Sequence, residues 1–333
     1  MKRTSICLYL LFCLAPACAA EQKVASLGDC HLDSGAVIED CRIGYRTFGS
    51  LNEARDNAIL IPTWFTGTSE NHEYMVAPNF IDPDRYFIVI VDALANGVSS
   101  SPSNSPSQPN EAFPEISIRD MVRTQHRLAT ELLELDGLYA VVGASMGGMQ
   151  AFEWMTSYPG FAKKTVAAIG SPRLASFDVA LWETEIRLFE LFRACECAAP
   201  MEALAGLKML TGNPEQLSQQ IEAGSVDAEL RRIAIAHGMT PEKSWDIQRQ
   251  AEAMIGHDIS RDFDHDMNKA AKAMQSELLI IVGRSDRVVT PQPALDFAEI
   301  SGAAAVVLGG DCGHAAPWCE AEFYAATIKT FLD

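Results

Sequence analysis

Three residues in this chain have the types and order that acyl-transfer chemistry requires. Ser145 lies in Gly143-Ala144-Ser145-Met146-Gly147, a G-x-S-x-G string. The apolar run Ala140-Val141-Val142 precedes it, and a helix-period segment, Met149–Tyr158, follows. A strand–turn–helix setting of this kind makes a nucleophile elbow, so tight that small residues must flank the serine. It lifts Oγ above the sheet edge. It also places the Met146 N–H at a helix N-terminus, where developing negative charge is stabilised. A serine hydroxyl needs a base to take its proton. Asp286 follows the apolar run Leu278–Val282, and His314 follows Ala303–Leu308. The order Ser, Asp, His suits such a site, with both partners at carboxyl ends of strands. His314 is then the general base and later the general acid, and Asp286 holds its tautomer. Asp311 is a rival acid, but it stands too near the base in sequence to orient it. His126 lies upstream of Ser145, and His237, His257 and His265 lie in a helical stretch far from any strand end. The second oxyanion donor is expected from Pro62-Thr63-Trp64-Phe65-Thr66-Gly67, with Phe65 N–H first and Trp64 the near alternative.

These groups need a scaffold. Ala58–Ile61, Tyr86–Val91, Leu138–Val142, Thr165–Ile169, Leu278–Val282 and Ala303–Leu308 are short continuous apolar runs. Such runs suit strands buried on both faces of a parallel sheet. Helical patterns at Ile118–Leu135 and Met146–Tyr158 separate some of them, which predicts an open α/β sheet. Gly35–Leu51 reads as an antiparallel opening hairpin. From about 172 to 274 there is no strand signal, only amphipathic helical runs, as expected of a lid inserted between strands. Ser99–Ser107 is rich in Ser and Pro and reads as a long surface loop. His257, Asp258, Asp262, Asp264, His265 and Asp266 fit no metal-ligand spacing and read as a solvated helix boundary.

The 333 residues carry a net charge of −18, and no basic face for nucleic acid is evident. Lys2 and Arg3, the apolar run Ile6–Leu14 and Ala17-Cys18-Ala19 follow the pattern of a secretory signal peptide over residues 1–20. Cys18 leaves a lipoprotein alternative open. Export predicts a secreted or periplasmic protein with no stable membrane span. Three of the nine cysteines lie in the leader, and an even six remain, which favours disulfides. Cys30 with Cys41 flanks a hairpin, and Cys312 with Cys319 brackets His314. The partner of Cys195 and of Cys197 stays open, and no CxxC pair supports a metal site.

Tyr45–Asn52, Asn57–Pro62 with Thr66-Gly67, and Gly143–Gln150 with Glu153-Trp154 and Tyr158-Pro159 together resemble the homoserine O-acetyltransferases, from about residue 26 onward. The resemblance implies an α/β-hydrolase fold: a mostly parallel central sheet, helices on both faces, and a helical lid before the last strands. It implies ping-pong acetyl transfer from acetyl-CoA through Ser145 to homoserine. It also supports Asp286 and His314 as partners of Ser145, and Phe65 with Met146 as the oxyanion pair. Arg187 matches a family arginine and, with Trp64, is a substrate-binding candidate. The pattern departs at Ala315 and Ala316, where the family has an Asp after the histidine, and at Glu183, where it has an Asn. The departures and the leader shift the expectation toward an exported ester hydrolase acting on a small-molecule acyl substrate. An O-acyltransferase of the homoserine type is the alternative, and a non-catalytic binding protein on the same scaffold is the third. No cofactor is expected, and the lid is a candidate homodimer surface.

Overall fold

The computed structural model describes residues 20–333, apart from Glu196. The leader pattern therefore lies almost wholly outside the described residues. Among these, eight strands form one sheet. They are β1 (Lys23–His31), β2 (Val37–Phe48), β3 (Ala58–Pro62), β4 (Phe87–Val91), β5 (Leu138–Ala144), β6 (Ala162–Ala168), β7 (Glu277–Gly283) and β8 (Ala304–Leu308). The order across the sheet is β1-β2-β4-β3-β5-β6-β7-β8. β1–β2 and β2–β4 pair antiparallel, and every later pair is parallel.

The expected α/β class is observed, and burial explains why its strands were legible. β3 is buried at every position, and β5 at all but Tyr139. An apolar run without alternation is what two covered faces demand. One face packs on α1 (Ile118–Arg127), α2 (Met146–Ser157) and α9 (Gln292–Ser301) through residues such as Met121, Phe152 and Phe297. The other packs on α11 (Ala321–Leu332) through Tyr324 and Ile328. β8 differs: it is an edge strand with Ala304, Ala305 and Val307 exposed.

Between β6 and β7 the chain forms α3 (Ser176–Cys195), α4 (Ala199–Leu210), α5 (Pro214–Gln220), α6 (Val226–His237), α7 (Pro241–Ile255) and α8 (Met267–Ala273). α3 packs against both α7 and α4, and Phe189 of α3 with Met201 and Leu204 of α4 forms a small separate core. α10 (Ala316–Cys319) is a single turn after His314. No described helix is long and apolar enough to cross a membrane.

Three local readings need correction. The opening hairpin begins earlier than expected, pairing Lys23–His31 with Val37–Phe48. Its first strand buries Ala25 and Leu27 and then Cys30, because register shifts around Gly28 break the two-residue alternation. The helix expected over Ile118–Leu135 stops at Arg127 and continues as one wider π turn, Leu128–Leu132. The Ser/Pro stretch is not a surface loop throughout. Ser99, Ser100, Ser101 and Ser105 are buried. Ser99 and Ser100 Oγ accept the β2 backbone N–H groups of Gly44 and Arg42, each at 2.9 Å. Hydroxyls satisfy strand donors there, so the polar composition faces inward.

Candidate active site

β5 runs straight into the turn at Ser145, and α2 starts at Met146. Ser145 has φ 56° and ψ −124°, a backbone conformation side chains disfavour. Ser145 N–H donates to Ala168 O at 2.9 Å, which ties the turn to β6. The neighbouring glycines answer to close backbone approach. A Cβ on Gly143 would collide with the Gly147 carbonyl, and one on Gly147 would stand 2.5 Å from Pro62 O.

Ser145, Asp286 and His314 converge. Ser145 Oγ–H donates to His314 Nε2 at 2.9 Å, in the tautomer that leaves Nδ1 protonated. His314 Nδ1–H donates to Asp286 Oδ2 at 2.6 Å. Asp286 is buried, and its other oxygen accepts Val288 N–H at 2.8 Å and Val289 N–H at 3.0 Å. One oxygen is thus locked by backbone while the other holds the imidazole. The His314 loop is fastened by Cys312–Cys319 and by Gly313 N–H donating to Ser285 Oγ at 3.2 Å.

The loop after β3 separates the two oxyanion candidates. Trp64 N–H already donates to His72 Nε2 at 3.3 Å. Burial lowers the His72 pKa to about 4, so this ring stays neutral and can accept. Thr66 N–H donates to Gln250 Oε1 of α7 at 2.8 Å. Phe65 N–H, between them, has no acceptor among the described residues. Met146 N–H, first in its helix, belongs to the donors a helix leaves unpaired. Two glutamines that the sequence did not single out brace this region. Gln150 Nε2 donates to Thr63 O at 3.0 Å, and Gln250 Nε2 to Leu94 O at 3.0 Å. Gln150 ends the segment Gly143–Gln150, but nothing in its local pattern signals a tertiary contact.

Ser145 and His314 open on a cavity of about 340 Å³. Trp64, Phe65, Trp182 and Trp318 supply aromatic walls, Leu181 and Val288 aliphatic ones, and Glu185, Lys208 and Thr211 polar groups. Phe65 meets Trp182 edge to face at 4.8 Å, and Trp64 meets Trp318 at 5.5 Å. A larger cleft, about 620 Å³, runs along α8 and α9, but neither Ser145 nor His314 reaches it.

Residues 57–193 match the family model of the alpha/beta hydrolase fold. The crystal structure of an acetylester hydrolase from Corynebacterium glutamicum superposes with a TM-score of 0.83 at 26% identity, covering 94% of this chain and 95% of that one. A homoserine O-acetyltransferase of Clavibacter michiganensis is 28% identical over 94% of this chain and 93% of its own. The chain has the α/β-hydrolase fold and is similar to the homoserine O-acetyltransferases. A probable esterase of Corynebacterium glutamicum is 37% identical over 166 residues, 49% of this chain and 48% of the relative. At that higher identity, this α/β-hydrolase spans about half the length of the curated relatives it matches.

Two readings around the site are corrected. Arg187 does not line the cavity. Its side chain is 75% exposed and lies 4.0 Å from Glu183 on the outer face of α3. The face of α3 turned to Ser145 carries Leu181, Trp182 and Glu185 instead. Trp64 does line the cavity. The His/Asp stretch is not wholly solvated either. His257 is buried 3.7 Å from Glu153, and burial holds its pKa down to about 4. Arg119 and Arg261 reach the same Glu153, each at 2.9 Å, so the cluster joins the α7–α8 connection to α2.

The expected cysteine pairs, Cys30–Cys41 and Cys312–Cys319, meet with Cα atoms 5.6 and 6.5 Å apart. Cys195 meets Cys197, which resolves the pairing left open.

Proposed function

We propose that the chain is an exported serine ester hydrolase that works through an acyl-Ser145 intermediate. The observation that carries the reading is the continuous hydrogen-bonded line from Ser145 through His314 to Asp286. In the first half, His314 Nε2 takes the Oγ proton as Oγ bonds to the ester carbonyl carbon. The oxyanion then faces the Phe65 and Met146 N–H groups, and Asp286 stabilises the imidazolium. Collapse expels the alcohol, which leaves with the proton from His314. In the second half, water gives its proton to His314 and attacks the acyl carbon. The acid departs as Ser145 regains its proton. Export fits the leader pattern and the three cysteine pairs, since disulfides persist in oxidising compartments.

A second reading keeps the acyl-enzyme and replaces water by an alcohol acceptor such as homoserine. The near full-length similarity to a homoserine O-acetyltransferase favours it. The outward-facing Arg187 and the alanines after His314 speak for hydrolysis.

One experiment separates the two. Mature protein and Ser145→Ala are incubated with p-nitrophenyl acetate, and separately with acetyl-CoA plus homoserine. Ester turnover that falls by about 10³-fold or more in the variant is expected. Homoserine-dependent CoA release without ester hydrolysis would select the second reading. Absence of any acyl or fluorophosphonate adduct on Ser145 would overturn both.

A further inference from the structure

Two polar atoms in the cavity beside Ser145 lack partners among the described residues. Glu185 is 3% exposed, and its Oε2 has no hydrogen-bond partner among the described residues. Trp182 is 4% exposed, and its indole Nε1–H has none among them either. They stand three residues apart on α3, so they share a helix face, and both line the cavity that holds Ser145 and His314. Unpaired buried polar atoms are costly and uncommon, and a ligand is one way to satisfy them.

We propose that Glu185 and Trp182 form a subsite for a hydroxyl group on the ester substrate; the inference rests on the hydrolase reading above. A hydroxyl is both donor and acceptor. It donates to Glu185 Oε2 and accepts from Trp182 Nε1–H, which satisfies both atoms at once. An ammonium group would leave the indole donor unpaired and would meet Lys208, which lines the same cavity. A substrate carboxylate would confront the Glu185 carboxyl. A plain alkyl ester would leave both atoms unsatisfied, and a buried site built for hydroxyl bonding rejects the analogue that lacks it. Burial pushes the Glu185 pKa up, opposed by the Lys208 charge, and either protonation state keeps an oxygen able to accept.

The test compares kcat/KM for ethyl acetate with 2-hydroxyethyl acetate, and with ethyl glycolate, which carries the hydroxyl on the acyl side. Wild type should prefer at least one hydroxylated ester by about tenfold or more. Glu185→Leu should abolish that preference, and Glu185→Gln should restore part of it. Trp182→Phe should weaken it. Ester turnover with equal preference in wild type and Glu185→Leu overturns the subsite and leaves the hydrolase reading standing. No turnover of any ester overturns that reading, and the subsite with it.

Discussion

Ser145 sits at φ 56° and ψ −124°, where a Cβ is strained by about 1–3 kcal/mol. The β5 and β6 contacts of the elbow hold it there, and the reward is an Oγ presented to His314. Glycine tolerates such angles and alanine does not. Ser145→Gly should therefore be more stable than Ser145→Ala by about 1 kcal/mol, although both lack the proposed nucleophile. Urea unfolding midpoints decide it, and an alanine variant as stable as the glycine one would show that the turn stores no strain. The residue scale also explains why Phe65 rather than Trp64 is left with a free amide. His72 and Gln250 take the donors on either side.

At the scale of elements, the lid is joined to the core by polar contacts as well as apolar ones. Asp246 of α7 accepts Ser103 N–H at 2.8 Å and Ser103 Oγ–H at 2.5 Å. Burial raises its pKa from the ordinary 3.8 to about 6 despite these bonds. The sign follows from proton counting. Between those values the folded protein holds a proton that the unfolded chain has released, so stability falls as pH rises through this window and levels off above it. The full loss is about 3 kcal/mol. Wild type should lose that much more stability than Asp246→Asn between about pH 4 and about pH 7. Parallel denaturation curves for the two proteins at both pH values would refute the assignment. Gln250, four residues on, carries the same helix to the Phe65 loop, so a disturbance of α7 is expected to reach the proposed oxyanion donors.

On the scale of the whole molecule, Ser145, Asp286 and His314 come from three strand ends, and each loop has its own fastening. Cys30–Cys41 clamps the first hairpin, whereas Cys312–Cys319 encloses His314. Removing the second should act mainly on function. Cys312→Ser with Cys319→Ser should lower ester kcat by about tenfold with KM little changed, because a displaced base costs rate more than binding. The matching change at Cys30 and Cys41 should lower thermal stability by about 3 kcal/mol and leave kcat nearly intact. Equal effects of the two pairs on kcat would sink this division.

The sequence alone carried the elbow, the order of Ser145, Asp286 and His314, the parallel sheet and two of the cysteine pairs. Each rests on short-range pattern: small residues at a tight turn, apolar runs the length of a strand, cysteines within one loop. What it could not carry depends on groups far apart in the chain. The face of α3 that meets Ser145 is set by packing against α7, which put Glu185 inside and Arg187 outside. The direction of Ser99–Ser107 is set by unpaired donors on β2. The burial of His257 is set by its docking beside Glu153 on α2. Polarity in a sequence says that a side chain needs a partner, and only the tertiary structure decides whether that partner is water, backbone or substrate.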